Sequence, residues 1–361
     1  MEILFLAPLT RKITPQITAA RPRLIFDLIS ELKKRGHKIT VLGTGDTKIP
    51  GVKVIPVIKK GFYELDGSFE NPFYAHTSFL IKQMKMAQKL SSKFGLIHNH
   101  CYPEFISLFL EKNIKTPMVT TLHMVMTPEL DEVLSLFPES KIISPAMAKK
   151  LAKKTKIYKT INPGVDTNLY KFEPKKENYL LWVGRLGKAK DKNKNFIDPK
   201  GVRWAISLAK ATGLNLKLVA NVEDMDFFNK EVKPHLSNKI KWIGKVSSEQ
   251  PLNKKQIVRI MQKAKVLLML SESFGGLVTR EALSCGTPVI GFPKKTYSKI
   301  VINGKTGFLV PRKKGLNGLK KAVEDINKIK PADCRKHIEK NFGLEKMADE
   351  YEKIYREVLK N

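Results

Sequence analysis

Residues 271–291 read SESFGGLVTREALSCGTPVIG. The apolar run Val266–Leu270 (VLLML) stands just before them and has the length of a buried strand. Ser271-Glu272-Ser273-Phe274-Gly275-Gly276 interrupts that run with polar residues and glycines, the composition of a turn. Leu277–Cys285 then carries apolar residues at helical spacing with Glu281 among them, and Thr287–Phe292 (TPVIGF) is a second strand. Strand, glycine-bearing turn, helix and strand form one unit of a parallel α/β sheet. A turn in that position lies at the carboxyl end of its strand, where such sheets take ligands. Its backbone N–H groups suit anionic or hydroxyl-rich ones.

The same alternation runs outward in both directions. Towards the N-terminus it begins with a strand at Glu2–Ala7, an amphipathic helix at Arg23–Arg35 stopped by Gly36, and strands at His37–Leu42 and Val52–Val57. A basic amphipathic helix around Leu80–Lys93 follows, then strands GLIHNH, PMVTTLH (ending on His123), Lys141–Ser144 and Lys156–Ile161. Leu180–Val183 restarts the pattern, which continues through helix Val202–Thr212, strands LNLKLVA and IKWIG, helix Lys255–Ala264 and the turn NGKTGFLV. Asp166–Asn178, rich in Lys, Glu, Pro and Asn, reads as a linker. The fold class is therefore α/β, with two Rossmann-like domains at 1–165 and 179–342, a linker at 166–178, and a helix in 343–361. That last helix, Leu344–Leu359, has Met347, Tyr351, Ile354, Tyr355 and Leu359 on one stripe.

At 361 residues the chain is long for one core and ordinary for two domains. No apolar stretch reaches the roughly eighteen residues of a membrane span. The start MEILFLAPLTRK lacks the basic patch and long apolar core of a secretory signal, so it reads as a first strand. Cys101, Cys285 and Cys334 have no C-x-x-C spacing, which fits a reducing compartment, with the cytoplasm as the expected location. The 66 Lys+Arg against 34 Asp+Glu give a formal net charge of +32. Such a surplus favours polyanionic partners, namely nucleic acid, anionic lipid or phosphorylated substrates. It equally describes lysines spread over solvated faces. Lys82, Lys85, Lys89 and Lys93 make one helical stripe, either an ordinary outer face or a contact with an anionic membrane surface at the inner membrane face.

Charged groups stand at several predicted strand ends. In Val183-Gly184-Arg185-Leu186, Gly184 permits close backbone approach and Arg185 offers a guanidinium that pairs with phosphate oxygens. Lys200-Gly201 opens the next helix, placing a second cation near a positive helix end. Glu272 and Glu281 supply carboxylates able to grip sugar hydroxyls. Asp224-Met225-Asp226 imitates a D-x-D metal motif but reads as a solvated turn. His98 and His100 lack acidic or cysteine partners at ligand spacing, so a lining or structural role is expected and no metal site is assigned. The absence of G-x-G-x-x-G after the first strand argues against a nicotinamide-dependent dehydrogenase.

On these residues the chain resembles the GT-B-fold retaining glycosyltransferases of family 4 (glycosyl transferases group 1). Their signature joins a Glu, Phe-Gly-Leu-Val, a second Glu and Ala-x-x-x-Gly-Thr-Pro-Val. The likeness extends to Arg35-Gly36-His37, Ile97-His98-Asn99-His100, Thr121-Leu122-His123, Asn162-Pro163-Gly164-Val165-Asp166, Asn303-Gly304-x-x-Gly307-Phe308-Leu309-Val310 and Tyr351-x-x-x-Tyr355. The resemblance implies two domains facing a cleft and a C-terminal helix that crosses back to the N-terminal domain. It implies transfer of a hexose-type sugar from a nucleotide-diphospho sugar, with the donor as co-substrate, no other cofactor and no required metal. Arg185 and Lys200 would neutralise the diphosphate, Glu281 would hold the ribose and Glu272 the transferred sugar. Gly184, Phe274, Gly275, Gly276, Leu277 and Val278 would line the donor, and His123 would lie over the sugar near the reacting centre.

The chain departs from that family pattern at three places. Glu272 and Glu281 enclose one residue more than usual because of Gly275-Gly276. Ala19-Ala20 replaces a glycine pair, and residues 187–199 form an expanded basic loop. Together with the charge, these motivate a second expectation, a catalytically weakened GT-B protein that binds nucleotide sugar or nucleic acid. A phosphorylase or sugar-nucleotide epimerase on the same fold is a third.

Overall fold

The computed structural model describes residues 1–360 except 66–67, 188–189, 245–252, 272–275 and 294–296, with only the backbone described at 146–148 and 297–298. Four fully buried apolar residues follow Glu2 and make β1 (Glu2–Leu6) an inner strand covered on both faces. This is why the sequence there is continuously apolar and not alternating. β1 pairs with β2 (Lys38–Thr44) on one side and β4 (Leu96–Asn99) on the other. β3 (Lys53–Ile58), β5 (Met118–Thr121), β6 (Lys141–Ser144) and β7 (Lys159–Thr160) complete an all-parallel sheet in the order β3-β2-β1-β4-β5-β6-β7.

A second all-parallel sheet is built from β8 (Tyr179–Leu186), β9 (Asn215–Val222), β10 (Ile240–Ile243), β11 (Val266–Met269), β12 (Val289–Gly291) and β13 (Gly307–Leu309). Its order is β10-β9-β8-β11-β12-β13. Both are the doubly wound Rossmann-like arrangement. The direction of winding reverses between β1 and β4 and between β8 and β11, and ligands of such sheets bind outside the carboxyl ends at that reversal.

The chain divides into two units, Met1–Gly164 with Leu344–Asn361, and Val165–Gly343. In the first, the C-terminal helix Leu344–Val358 buries Met347, Tyr351, Ile354, Tyr355 and Val358. A large apolar side chain taken fully out of water contributes about 1.5–3 kcal/mol, so this stripe is a substantial anchor. Leu359 of the predicted stripe lies past the helix and is exposed, and Val358 takes the buried position. Arg35 clasps the two helices. Its guanidinium meets Glu31 at 3.0 Å, Glu352 at 3.0 Å and the carbonyl of Glu345 at 2.9 Å. The first helix runs Ala20–Lys34, earlier than its apolar period suggests. Ala19 begins it at φ −63, a conformation that alanine adopts without strain, so no glycine is needed there.

The helix Pro72–Leu90 also starts ahead of its predicted bounds, where Asn71 accepts from the backbone N–H of Tyr74 and Pro72 occupies the first turn. Lys82, Lys85 and Lys89 are exposed on it, while Leu80, Gln83 and Ala87 face the core. The segment 166–178 packs along the second unit. Tyr170 is buried, and Lys176 Nζ donates to the carbonyls of Gln262 (2.8 Å) and Cys285 (2.9 Å) and to Thr287 Oγ (3.0 Å). Its lysines and glutamates resemble a linker in composition, yet Tyr170 and Lys176 anchor it to the second unit.

Candidate active site at the sheet reversals

In the second unit the loop before helix Val202–Thr212 is fixed by three contacts, one to β8 and two to the end of β11. Trp182 of β8 donates its indole N–H to the Lys200 carbonyl at 3.0 Å, and Ser271 Oγ donates to the Pro199 carbonyl at 2.9 Å. Gly201 sits at φ +74, so close to Leu270 that a Cβ would lie 2.2 Å from its carbonyl oxygen. Only glycine serves at such a position. These contacts bring Lys200, Ser271 and the ends of β8 and β11 together at the reversal.

Gly184 and Arg185 close β8. A Cβ on Gly184 would meet the Trp182 ring at 2.7 Å, so the indole lies over this glycine and accounts for it by packing. Arg185 is exposed and pairs with Glu223 at 3.3 Å. A pair this open to water adds at most about 1 kcal/mol to stability, which leaves the guanidinium available to a ligand at small cost. The positive helix end expected beside Lys200 is occupied from within the chain. Asp198 accepts from the backbone N–H of Gly201 (2.7 Å) and of Arg203 (2.8 Å). Within the expanded loop, residues 190–196 form a turn closed by a Lys190–Phe196 bridge and by Asp191 accepting from Asn193 and Asn195. Phe196 packs edge-on against Phe227.

Helix Leu277–Ser284 starts at Gly276. Leu277 and Val278 form its half-buried first turn, and Glu281 is 2% exposed one turn on. Gly276 lies close to the ends of two side chains. A Cβ on Gly276 would lie 2.6 Å from Ile300 and 3.1 Å from the Arg280 guanidinium. Arg280, which sequence reasoning passed over, is a buried cation over the Phe342 ring, its pKa lowered to about 10 by burial. Glu272, Phe274 and Gly275 lie outside the described residues. At the other end of this helix Gly286 stands at φ +77. Its N–H bonds the Leu283 carbonyl and that of Thr287 bonds the Ala282 carbonyl, the reciprocal pair of a left-handed helix stop. The Gly286-Thr287-Pro288 segment is thus a helix terminator and lies away from the strand end that carries Gly276.

In the first unit, His98, His100 and His123 gather at the ends of β4 and β5. His98 Nε2 meets Thr121 Oγ1 at 2.8 Å and its Nδ1 meets the Tyr355 hydroxyl at 2.7 Å. His100 Nδ1 meets His123 Nε2 at 2.7 Å. The Glu104 carboxylate accepts from the His123 backbone N–H at 3.1 Å, and Arg21 approaches that carboxylate at 3.8 Å. Burial lowers the pKa of all three imidazoles, His100 to about 3, and each is neutral at ordinary pH. His98 is the structural member, tied by its two ring nitrogens to β5 and to the C-terminal helix.

Two family descriptions match adjoining stretches of the chain. Residues 22–169 match Glycosyltransferase Family 4, and residues 170–341 match Glycosyl transferases group 1. The chain is a family 4-like, GT-B glycosyltransferase. It is similar to N-acetyl-alpha-D-glucosaminyl L-malate synthase of Bacillus anthracis, 24% identical with 93% of each chain covered. Among solved structures it is similar to sucrose-phosphate synthase of Thermosynechococcus elongatus, with TM-score 0.74, 18% identity and coverage of 99% of this chain and 98% of that one. It is also similar to Anabaena HepE solved with UDP and glucose, with TM-score 0.68, 18% identity and coverage of 99% and 100%. Both structures share the fold of this glycosyltransferase.

Other sequence signals in the glycosyltransferase resolve as structure. Asp224 caps the turn Met225–Phe227 by accepting from the Phe227 N–H at 3.0 Å. Among the described residues no three His, Cys, Asp or Glu side chains are grouped to hold a metal, and no helix is long and apolar enough to cross a membrane.

Proposed function

We propose that this glycosyltransferase moves a hexose-type sugar from a nucleotide-diphospho sugar to an acceptor with retention of anomeric configuration. The reading rests on features carried by the neighbouring strands β8 and β11 of the second unit: exposed Arg185 near the end of β8, the Lys200 segment pinned to Trp182 and Ser271, and buried Glu281 on the helix that follows β11. HepE, which has this fold, was solved with UDP and glucose, and this supports a nucleotide donor.

As the bond from the anomeric carbon to the diphosphate oxygen lengthens, negative charge builds on that oxygen. Arg185 and Lys200 meet charge that is greatest at the transition state, so they lower the barrier more than they tighten binding. Side-chain cations take the place that a divalent metal fills elsewhere, and the reading requires no metal. Glu281 accepts the ribose hydroxyls. The acceptor oxygen attacks from the face the diphosphate leaves, and its proton passes to the departing phosphate oxygen. No protein nucleophile takes part. From the first unit the reading uses His123 as a partner for a sugar hydroxyl.

Incubation with UDP-, GDP- and ADP-sugars, with the released or transferred sugar followed by NMR, tests this. Retained configuration in the first-formed product and turnover unchanged by EDTA are expected, and an inverted product contradicts the mechanism. Saturable binding of a nucleotide sugar with no turnover supports the binding-module reading instead.

A further inference from the structure

His100 is 1% exposed and its ring stacks on Phe5, with centroids 5.5 Å apart and planes at 6°. One hydrogen is shared across the 2.7 Å contact between His100 Nδ1 and His123 Nε2, and both rings are neutral. There are two ways to place it. If His123 Nε2 carries the hydrogen, His100 accepts at Nδ1 and carries its own at Nε2. His100 Nε2 is buried with no hydrogen-bond partner in the protein. The His100 ring also lines a small cavity together with Leu24, Leu28, Thr121, Leu122, Met347 and Tyr351. A buried N–H donor without an acceptor is among the rarest and costliest features of folded proteins, whereas an unfilled acceptor is better tolerated. The other placement leaves only a lone pair at that nitrogen.

We infer that His100 is a positioning residue that donates Nδ1–H to His123 Nε2 and so holds His123 as the Nδ1–H tautomer. In that form the accepting nitrogen of His123 is already used, and the hydrogen it offers a ligand is on Nδ1. His123 is then a hydrogen-bond donor to a sugar oxygen and has no free lone pair with which to act as a base. The Glu104 carboxylate on the His123 backbone N–H, with Arg21 beside it, holds the residue from its other side. This inference about tautomer and positioning rests on the reading that His123 meets the donor sugar, and the test separates the two.

Long-range 1H–15N correlation of the full chain labelled at histidine reports which ring nitrogen carries hydrogen. The expected spectrum has His123 protonated at Nδ1 and unprotonated at Nε2, unchanged to well below the usual imidazole range. His100→Asn keeps an N–H near the Nδ1 position and is expected to preserve that pattern. His100→Phe keeps the stacking on Phe5 and loses the donor, and is expected to move the His123 Nε2 resonance from that of a hydrogen-bonded acceptor towards that of a free lone pair, with roughly a tenfold fall in kcat. A wild-type spectrum with hydrogen on His123 Nε2, or a His100→Phe spectrum identical to wild type, overturns the inference. Should His100→Phe not fold, the wild-type and His100→Asn spectra still decide it. If the tautomer is as inferred but His123→Ala leaves turnover unchanged, the role given to His123 in the proposed function fails while the tautomer stands.

Discussion

The carboxyl ends of the two sheets share one winding order and are filled in opposite ways. At the end of β4, His98 and His100 are at most 1% exposed, and His98 is bonded through both ring nitrogens to other parts of its own unit. At the end of β8, Arg185 has 67% of its side chain exposed, and its pairing with Glu223 stays in contact with water. The histidines are neutral because burial makes their charged forms costly, whereas the Arg185 guanidinium stands largely in water. The same topology thus supports a buried corner of neutral imidazoles in one unit and an open, cationic corner in the other. The first is a matter of stability and orientation, and the second of meeting a charged ligand.

Substitutions at the two corners are therefore expected to separate activity from stability. Arg185→Ala is expected to lower kcat on the order of a hundredfold or more while moving the melting temperature little. Steady-state kinetics with calorimetry on the same preparation checks this, and a large loss of stability would erase the distinction. His98→Ala removes one of the two partners of Thr121 and the partner of the Tyr355 hydroxyl, and leaves a hole in the core. A loss of about 2–4 kcal/mol in chemical denaturation is expected.

The pH dependence sharpens the contrast. His98 and His100 have pKa values lowered by burial, so below about 6.5 the unfolded chain binds protons that the folded unit does not. Stability is then lost as pH falls from that point towards the folded values, by roughly 2 kcal/mol per histidine at pH 5. Amide hydrogen exchange at pH 7 and pH 5 is expected to show protection falling first in Met1–Gly164 with the C-terminal helix. The smallest effect on turnover is expected at Trp182→Phe, which loses the N–H to the Lys200 carbonyl and the outer ring atoms over Gly184. A loss of about 1–3 kcal/mol of stability and a modest rise in KM for the donor are expected.

Much of the fold was legible because strand and helix periods are local. The apolar runs at β1, β8 and β11 and the stripe on Leu344–Val358 announce buried elements directly. The C-terminal helix's place on the first unit came only from the family likeness, since no local pattern says which face Tyr355 will meet. The candidate site was legible as residue types at strand ends, Arg185 and Glu281 above all. Its internal supports were not. Nothing in sequence spacing puts Trp182 beside Lys200, Asp198 on the helix end, or His100 against His123, because each contact joins segments that meet only once the sheet is wound. Gly286-Thr287-Pro288 shows the converse. It is part of a recognisable signature, and its role is to stop a helix, through left-handed Gly286 and the Ala282 and Leu283 carbonyls.

The most direct test of a donor site at the second unit's reversal is a thermal-shift titration of the wild type and of Glu281→Ala and Arg185→Ala with UDP-, GDP- and ADP-sugars. Any ligand that binds only the folded chain raises its melting temperature as concentration passes Kd. At least one nucleotide sugar is expected to stabilise the wild type and to stabilise both variants much less. Stabilisation by none of them, or equal stabilisation of all three proteins, would contradict the site.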